Sequence, residues 1–264
     1  MNLCTIASGS SGNCTYINTD DVSILIDVGI SGQRVIDALT QINAKPENID
    51  AIFITHEHID HIKGAGIFSR KYNVSIYATQ KTWDVILQNN LVGTLDSNNI
   101  KIIEPLTTIS LNHLNITAFP ISHDAIEPVG YVFEANQKKL GLVTDIGIVD
   151  DIARNILKEC NGIMLESNHD PNMLEVGRYS YYLKRRIASK IGHLSNEDAS
   201  DFLANLYHKD LKWAMFAHLS SDNNVPSLAY ITAKNALSAH GITIGKDIDI
   251  YIADKKSVSP VLSV

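Results

Sequence analysis

One seven-residue stretch, Thr55-His-Glu-His-Ile-Asp-His61, constrains this chain more than any other. The largely apolar run Asp50–Thr55 leads into it and reads as a strand buried on both faces. In extended chain, residues two apart project to the same side, about 6.6 Å from one another, so His56 and His58 converge on one ion. Asp60 and His61 follow at once and reach a second ion beside the first. Imidazole and carboxylate with no neighbouring Cys suit Zn²⁺, with Mn²⁺ or Fe²⁺ as alternatives, in an open rather than a closed structural site. A helical His-Glu-x-x-His motif is excluded, because position 60 is Asp. The plain competitor is a solvated loop rich in histidine.

Three further segments weigh against that competitor, because each is an apolar strand ending in a ligand-type side chain. Ile116-Thr-Ala-Phe-Pro-Ile-Ser-His123 delivers His123, Leu140-Gly-Leu-Val-Thr-Asp145 delivers Asp145, and Trp213-Ala-Met-Phe-Ala-His218 delivers His218. Taken singly, such a residue is more often a turn former or a helix cap. Together they make a metal centre the better reading.

The rest of the pattern is strand-rich and then helical, twice over. Strands are expected at Asn2–Ala7, Cys14–Thr19, Val22–Asp27 and Val74–Ala78, with helices after Ser31, near Ile62–Tyr72 and at Lys81–Gln88. A run of strands follows: Lys101–Glu104, Thr108–Leu111, Asn115–Phe119, Gly130–Glu134 and Lys139–Thr144. Helices at Asp151–Lys158, Tyr181–Lys190, Asn196–Tyr207 and Ser227–His240 then alternate with strands at Gly162–Leu165, Lys212–Ala217 and Ile248–Ile252. This order predicts an α/β (α+β) fold with two packed sheets and helices outside them, a four-layer αββα sandwich formed as one domain by residues 1–264.

Composition narrows the class. Hydrophobic residues make up 45% and charged residues 19%, which excludes a disordered chain, and no apolar run is long enough to span a bilayer as a helix. The first residues do not read as a secretory signal, and Cys4, Cys14 and Cys160 lack metal-type spacing; both point to reduced thiols in the cytoplasm. A formal charge of −7 gives no global attraction to nucleic acid, although bound dications would make the cleft locally positive. A homo-oligomer is compatible with all of this.

The ordered set Asp27, His56 to His61, His123, Asp145 and His218 resembles the pattern of the metallo-β-lactamase superfamily. Within it, Ala7-Ser-Gly-Ser-Ser-Gly-Asn-Cys14, Leu165-Glu-Ser-Asn-His-Asp170, Gly192-His-Leu-Ser-Asn196 and Ala217-His-Leu-Ser-Ser221 look like the YycJ (WalJ) group, close to ribonuclease Z and the phosphodiesterase PhnP. The resemblance implies that His56, His58 and His123 bind one metal, that Asp60, His61 and His218 bind the other, and that Asp145 bridges them. It also implies that Asp27 orients a ligand loop without touching metal, and that the reaction is exonucleolytic hydrolysis of DNA. Glu does not stand where His58 does, which argues against a redox di-iron role. Cys does not replace Asp145, which argues against the β-lactamase subclasses with a Cys ligand.

The expected mechanism is in-line attack on phosphorus by a hydroxide activated between two ions about 3.5–4 Å apart. Asp60 and His193 are the expected catalytic residues, with His193 donating a proton to the leaving oxygen; its alternative is a residue entering the helix capped by Ser195. Ser11, Gly12 and Asn13 are candidates for holding phosphate, against the alternative of a simple turn. Asn168 and His169 are expected in the substrate cleft. Lys184, Arg185 and Arg186, with Tyr179, Tyr181 and Tyr182, offer charges and rings to a nucleic-acid strand, against a solvated helix face. Two rival functions stay open: a small-molecule metallohydrolase acting on a cyclic phosphate, thioester or lactone, and a non-catalytic regulatory protein.

Overall fold

The computed structural model describes residues 1–264. Its strands and helices follow in the order β1 (Asn2–Ala7), β2 (Cys14–Asn18), β3 (Ser23–Ile26), α1 (Gly32–Gln41), β4 (Ala51–Phe53), α2 (Ile59–Ile62), α3 (Ala65–Tyr72), β5 (Ser75–Ala78), α4 (Gln80–Gln88) and β6 (Ile100–Ile102). The second half runs β7 (Thr108–Leu111), β8 (Leu114–Pro120), β9 (Val129–Ala135), β10 (Lys138–Val143), α5 (Asp151–Leu157), β11 (Gly162–Glu166), α6 (Pro171–Val176), α7 (Tyr181–Ile187), α8 (Asn196–Leu206), β12 (Trp213–Ala217), α9 (Pro226–Ala239), β13 (Asp249–Ile252) and β14 (Leu262–Ser263).

Two seven-stranded sheets result, in the orders β14-β1-β2-β3-β4-β5-β6 and β13-β12-β11-β10-β9-β8-β7. Both are built alike. Strands β14, β1, β2 and β3 are mutually antiparallel and β3 to β6 are parallel; β7 to β10 are antiparallel and β10 to β13 are parallel. The parallel strands read as unbroken apolar runs because each face meets a different layer. On β4, Phe53 packs between the sheets while its neighbour Ile52 faces the helices α1, α3 and α4. On β12, Met215 faces the other sheet while Ala214 and Phe216 face α5, α8 and α9. Three apolar cores separate four layers, and the αββα sandwich expected from the element order is the observed fold. No helix is long and apolar enough to cross a membrane.

Element boundaries differ from expectation where tertiary contacts intervene. The helix expected near Ile62–Tyr72 is α3, which starts later, at Ala65; Ile62 ends the short α2, and between them lies Gly64, whose amide donates to the Val28 carbonyl at 2.7 Å. A Cβ at Gly64 would sit 2.1 Å from the Ile30 carbonyl oxygen, so only glycine permits this approach. Strand β4 stops at Phe53, short of the expected Thr55, because Thr55 turns its groups toward Asp27. Helix α6 and the two-residue strand β14 were not expected; α6 starts with Asp170 capping Met173 N at 2.8 Å and Pro171 in its first turn.

Candidate metal centre

The parallel strands of both sheets end at the same edge of the sandwich, and the residues that follow them form one cluster. Asp27 follows β3, His56 and His58 lie in the loop after β4, Asp145 follows β10, Glu166 closes β11 and His218 follows β12. Ligand-capable side chains placed beyond the carboxyl ends of parallel strands are a general feature of α/β sheets. Asp27, Asp145 and His218 all sit in the left-handed region, with φ of 57°, 56° and 57°. Backbone of this kind costs a non-glycine residue about 1–3 kcal/mol and persists only where surrounding contacts impose it. It turns each side chain sharply off its strand and into the cluster.

The surrounding contacts are explicit. Asp27, itself 3% exposed, accepts from the Thr55 amide and hydroxyl, each at 2.9 Å, and from His61 Nδ1 at 2.7 Å. One carboxylate thus fixes the start of the histidine loop and the imidazole at its far end. Thr55 Oγ1 also lies 2.9 Å from His56 Nδ1, and His56 Nε2 faces His58 Nδ1 at 2.9 Å. Glu57 of the histidine loop accepts from the Ile126 amide at 2.9 Å. The Tyr131 hydroxyl donates to the Ile54 carbonyl at 2.6 Å and the Val129 amide to the Thr55 carbonyl at 3.0 Å, which ties the second sheet to the base of the first sheet's loop.

Ligand atoms of His56, His58 and His123 lie within 4.8 Å of one another, and so do those of Asp60, His61 and His218. Asp145 stands between the two groups: its oxygens are 3.3 Å from His61 Nε2, 3.4 Å from His218 Nδ1 and 3.9 Å from His123 Nε2. His123 Nε2, His218 Nε2 and one Asp145 oxygen are buried without any hydrogen-bond partner. An unsatisfied buried polar atom costs about 1–3 kcal/mol, so three at one place need a common explanation. Divalent cations supply it, and the donor set of imidazoles and carboxylates without thiolate fits them.

Electrostatics inside the cluster are strongly mixed. Burial pushes the His56 imidazole well below its ordinary pKa, with His61 adding to the effect. Burial acts the same way on His61, but the Asp27 and Asp145 carboxylates outweigh it and hold that imidazole well above the usual range. Burial raises the Asp145 carboxyl, yet His218, His61 and His56 hold it well below ordinary carboxylates.

Glu166, which the sequence alone does not single out, ends a buried strand just as Asp145 and His218 follow theirs. It is fully buried, and its Oε1 accepts from His193 Nδ1 and His218 Nδ1, both at 2.8 Å, while Oε2 accepts from the Ile146 amide at 2.7 Å and the Leu194 amide at 3.3 Å. Burial raises its pKa, but the two imidazoles, His193 first, hold the carboxyl at about 2. In return Glu166 outweighs the burial of His193 and lifts that imidazole to about 9. Ligand atoms of Asp145, Glu166, His193 and His218 also lie within 4.8 Å of one another.

The other expected residues divide. Asn13 Nδ2 lies 3.0 Å from His61 Nε2 and 3.5 Å from an Asp60 carboxylate oxygen, so its amide touches the cluster. Ser11 is exposed and lies outside the lining of the cleft, where Ser10 takes its place. The neighbouring Ser8 accepts from the His218 amide at 2.8 Å, so this glycine-serine loop braces both ligand loops. Asn168 lines the cleft and donates to the His218 carbonyl at 2.9 Å. His169 lies in an adjoining hollow instead, on the far side of α7. The cleft itself, about 160 Å³, is lined by His193 and His218 below and by Leu183, Arg186 and Ile187 of α7 above. Asp124, not anticipated, lines it too and pairs with Arg186 Nε. Cys4, Cys14 and Cys160 are free and buried.

Residues 23–218 match the beta-lactamase superfamily domain. The chain is 38% identical over 259 residues to the exodeoxyribonuclease WalJ of Streptococcus pneumoniae serotype 2, covering 98% of this chain and 96% of that protein. It is 37% identical over 256 residues to the exodeoxyribonuclease YycJ of Bacillus anthracis, covering 97% and 96%. Among solved structures, Zn²⁺-bound PqqB from Methylobacterium extorquens superimposes with a TM-score of 0.72 at 16% identity, covering 100% of both chains, a likeness of fold. A sandwich whose strand ends gather imidazoles and carboxylates, matched over nearly its whole length at this identity, belongs to the beta-lactamase superfamily and, within it, to the WalJ/YycJ group.

Proposed function

We propose that this chain is a metal-dependent exonuclease that hydrolyses phosphodiester bonds of DNA. The observation that carries the reading is the convergence of two triads, His56/His58/His123 and Asp60/His61/His218, with Asp145 between them. Relatives named exodeoxyribonuclease support the choice of substrate, because they match almost all of the chain.

In this reading His56, His58 and His123 would hold one divalent ion and Asp60, His61 and His218 a second, with Asp145 within reach of both; Zn²⁺ suits the imidazole-rich donors best, and Mn²⁺ or Fe²⁺ would be accommodated. When bound, such ions would supply Lewis acidity toward water and the phosphoryl oxygens. The chain's own residues do the rest. Asp27 and Glu166 accept from Nδ1 of His61 and His218, which leaves each Nε2 lone pair free for an ion. Glu166 also engages Nδ1 of His193, so His193 can hold a proton at Nε2 for the leaving oxygen. Asp60 is held near Asn13, and Asn168 steadies the His218 backbone. Residues 1–264 act as one domain in the cytoplasm.

The test offers the purified chain, loaded with Mn²⁺ or Zn²⁺, four substrates: 5′-labelled DNA, bis-p-nitrophenyl phosphate, S-lactoylglutathione and nitrocefin. Shortening of the DNA from an end together with turnover of the phosphate diester is expected. Turnover confined to the thioester or the lactam overturns the nuclease reading, and elemental analysis finding no metal on active protein overturns the metal reading.

A further inference from the structure

The chain just beyond Glu166 is enclosed by side-chain amides from two other elements. Ser167 and Asn196 are fully buried, and Asn224 is 4% exposed. Asn196 opens α8 and Asn224 stands two residues before α9, so both come from outside the strand they surround. The two amides pair reciprocally: Asn196 Nδ2 donates to Asn224 Oδ1 at 2.9 Å, and Asn224 Nδ2 donates to Asn196 Oδ1 at 2.8 Å.

This pair grips the residues that follow Glu166. Asn224 Nδ2 lies 3.0 Å from the Ser167 carbonyl oxygen and 3.0 Å from that of Asn168. Ser167 Oγ donates to Asn196 Oδ1 at 2.6 Å, and the Asn196 backbone amide donates to the His169 carbonyl at 2.8 Å. None of the four side-chain polar atoms of the pair lacks a partner. From the gripped segment two bonds run on to His218. Glu166 Oε1 accepts from its Nδ1 at 2.8 Å, and Asn168 Nδ2 donates to its carbonyl at 2.9 Å. The same Glu166 oxygen accepts from His193 Nδ1 at 2.8 Å.

Helix capping does not account for the two asparagines. Ser195 already caps α8 by accepting from Asp198 N at 3.0 Å, and Asn224 offers α9 a single acceptor, for the Val225 amide. Filling space does not account for them either, since a leucine of similar size can be buried without needing partners. A fully satisfied buried network fixes one arrangement of the groups it joins, and here those groups lead directly to two imidazoles. The other half holds its histidine loop by a shorter route, with Asp27 bonded directly to Thr55 and His61.

We propose that Asn196 and Asn224 are positioning residues: their amide pair clamps the Ser167 and Asn168 carbonyls and so sets the aim of His193 and His218 while touching neither. What those imidazoles then serve rests on the nuclease reading above. The clamp itself is testable without metal or DNA.

The test follows solvent exchange of the Nδ1 protons of His61, His193 and His218 by NMR of the metal-free full chain. Asn224→Leu keeps the volume and removes the bonds. It is expected to speed exchange at His193 and His218 about tenfold, with His61, held by Asp27, unchanged. Ser167→Ala gives up one donor and is expected to show the same pattern to a lesser degree; it decides the matter if Asn224→Leu does not fold. Equal acceleration at all three imidazoles would mark a general loosening and overturns the proposal, as does no acceleration at His193 and His218. In the metal-loaded protein, kcat on 5′-labelled DNA should fall about tenfold in Asn224→Leu with KM unchanged. An unchanged kcat, or a change confined to KM, also overturns it. If the unaltered protein cleaves no DNA, the nuclease reading falls, and proton exchange at His193 and His218 alone decides for or against the clamp.

Discussion

The two sheets share one plan, four antiparallel strands running into parallel ones, yet they anchor their histidines with carboxylates from different strands. In the first sheet the anchor is Asp27, on the first parallel strand; it reaches sideways to Thr55 at the end of the next strand and to His61. In the second sheet the anchor is Glu166, on the second parallel strand; it reaches back to Ile146 beyond the previous strand and serves His193 and His218 together. The first arrangement stiffens one compact loop that supplies four ligand-type residues. The second gathers residues from three separate segments, so its geometry depends on more of the fold. A single carboxylate per half therefore does the same work, holding Nδ1 of His61 in one and of His193 and His218 in the other.

Removing the proposed ions should have the largest effect, because it touches both halves at once. Dialysis against a chelator is expected to abolish hydrolysis and to lower the melting temperature, with both restored by Zn²⁺ or Mn²⁺. At metal one hundredfold above its dissociation constant the stabilisation amounts to about 2.7 kcal/mol. An unchanged melting temperature and full activity in chelator would remove the common purpose of the two anchors.

Glu166→Gln should come next. It retains the shape but weakens its hold on two imidazoles, and a loss near the upper end of the roughly 10–100-fold range for such partners is expected in activity or metal affinity. Asp27→Asn serves one imidazole and should fall nearer the lower end of the same range, about tenfold. Steady-state kinetics and metal titration on the two variants side by side decide the matter; a larger defect in Asp27→Asn would reverse the ranking of the halves. The smallest effect is expected from Ser8→Ala, which removes the hydroxyl that accepts from the His218 amide. One such neutral hydrogen bond is worth about 0.5–1.5 kcal/mol, and a modest loss of thermal stability should be measurable with the first ligand loop unaffected.

Legibility in the sequence followed the range of the forces involved. The helix caps at Ser31 and Ser195 are local, and both are present, accepting from Arg34 N at 3.4 Å and Asp198 N at 3.0 Å. Period-two and period-three patterns placed most strands and helices. The break at Gly64 was invisible because its cause is a carbonyl at Val28, distant in sequence and supplied by another element. Helix α6 carries a local start signal, Asp170-Pro171, but is only six residues long and leaves little periodic pattern to go with it. Glu166 was readable too, as an acid closing a buried apolar strand, but nothing in its own segment named its partners.

By itself the sequence determined the chemistry available: which strands end in imidazole or carboxylate, and that no thiol competes with them. Those are properties of residue type and spacing, carried by the chain even when unfolded. Tertiary structure alone decided which nitrogen of each histidine turns inward, that Asp145 stands between two groups, and that α7 overhangs the cleft. These depend on groups tens to hundreds of residues apart meeting within hydrogen-bond distance, as Ser8 and His218 do, and only the packing of one sheet on the other brings them there.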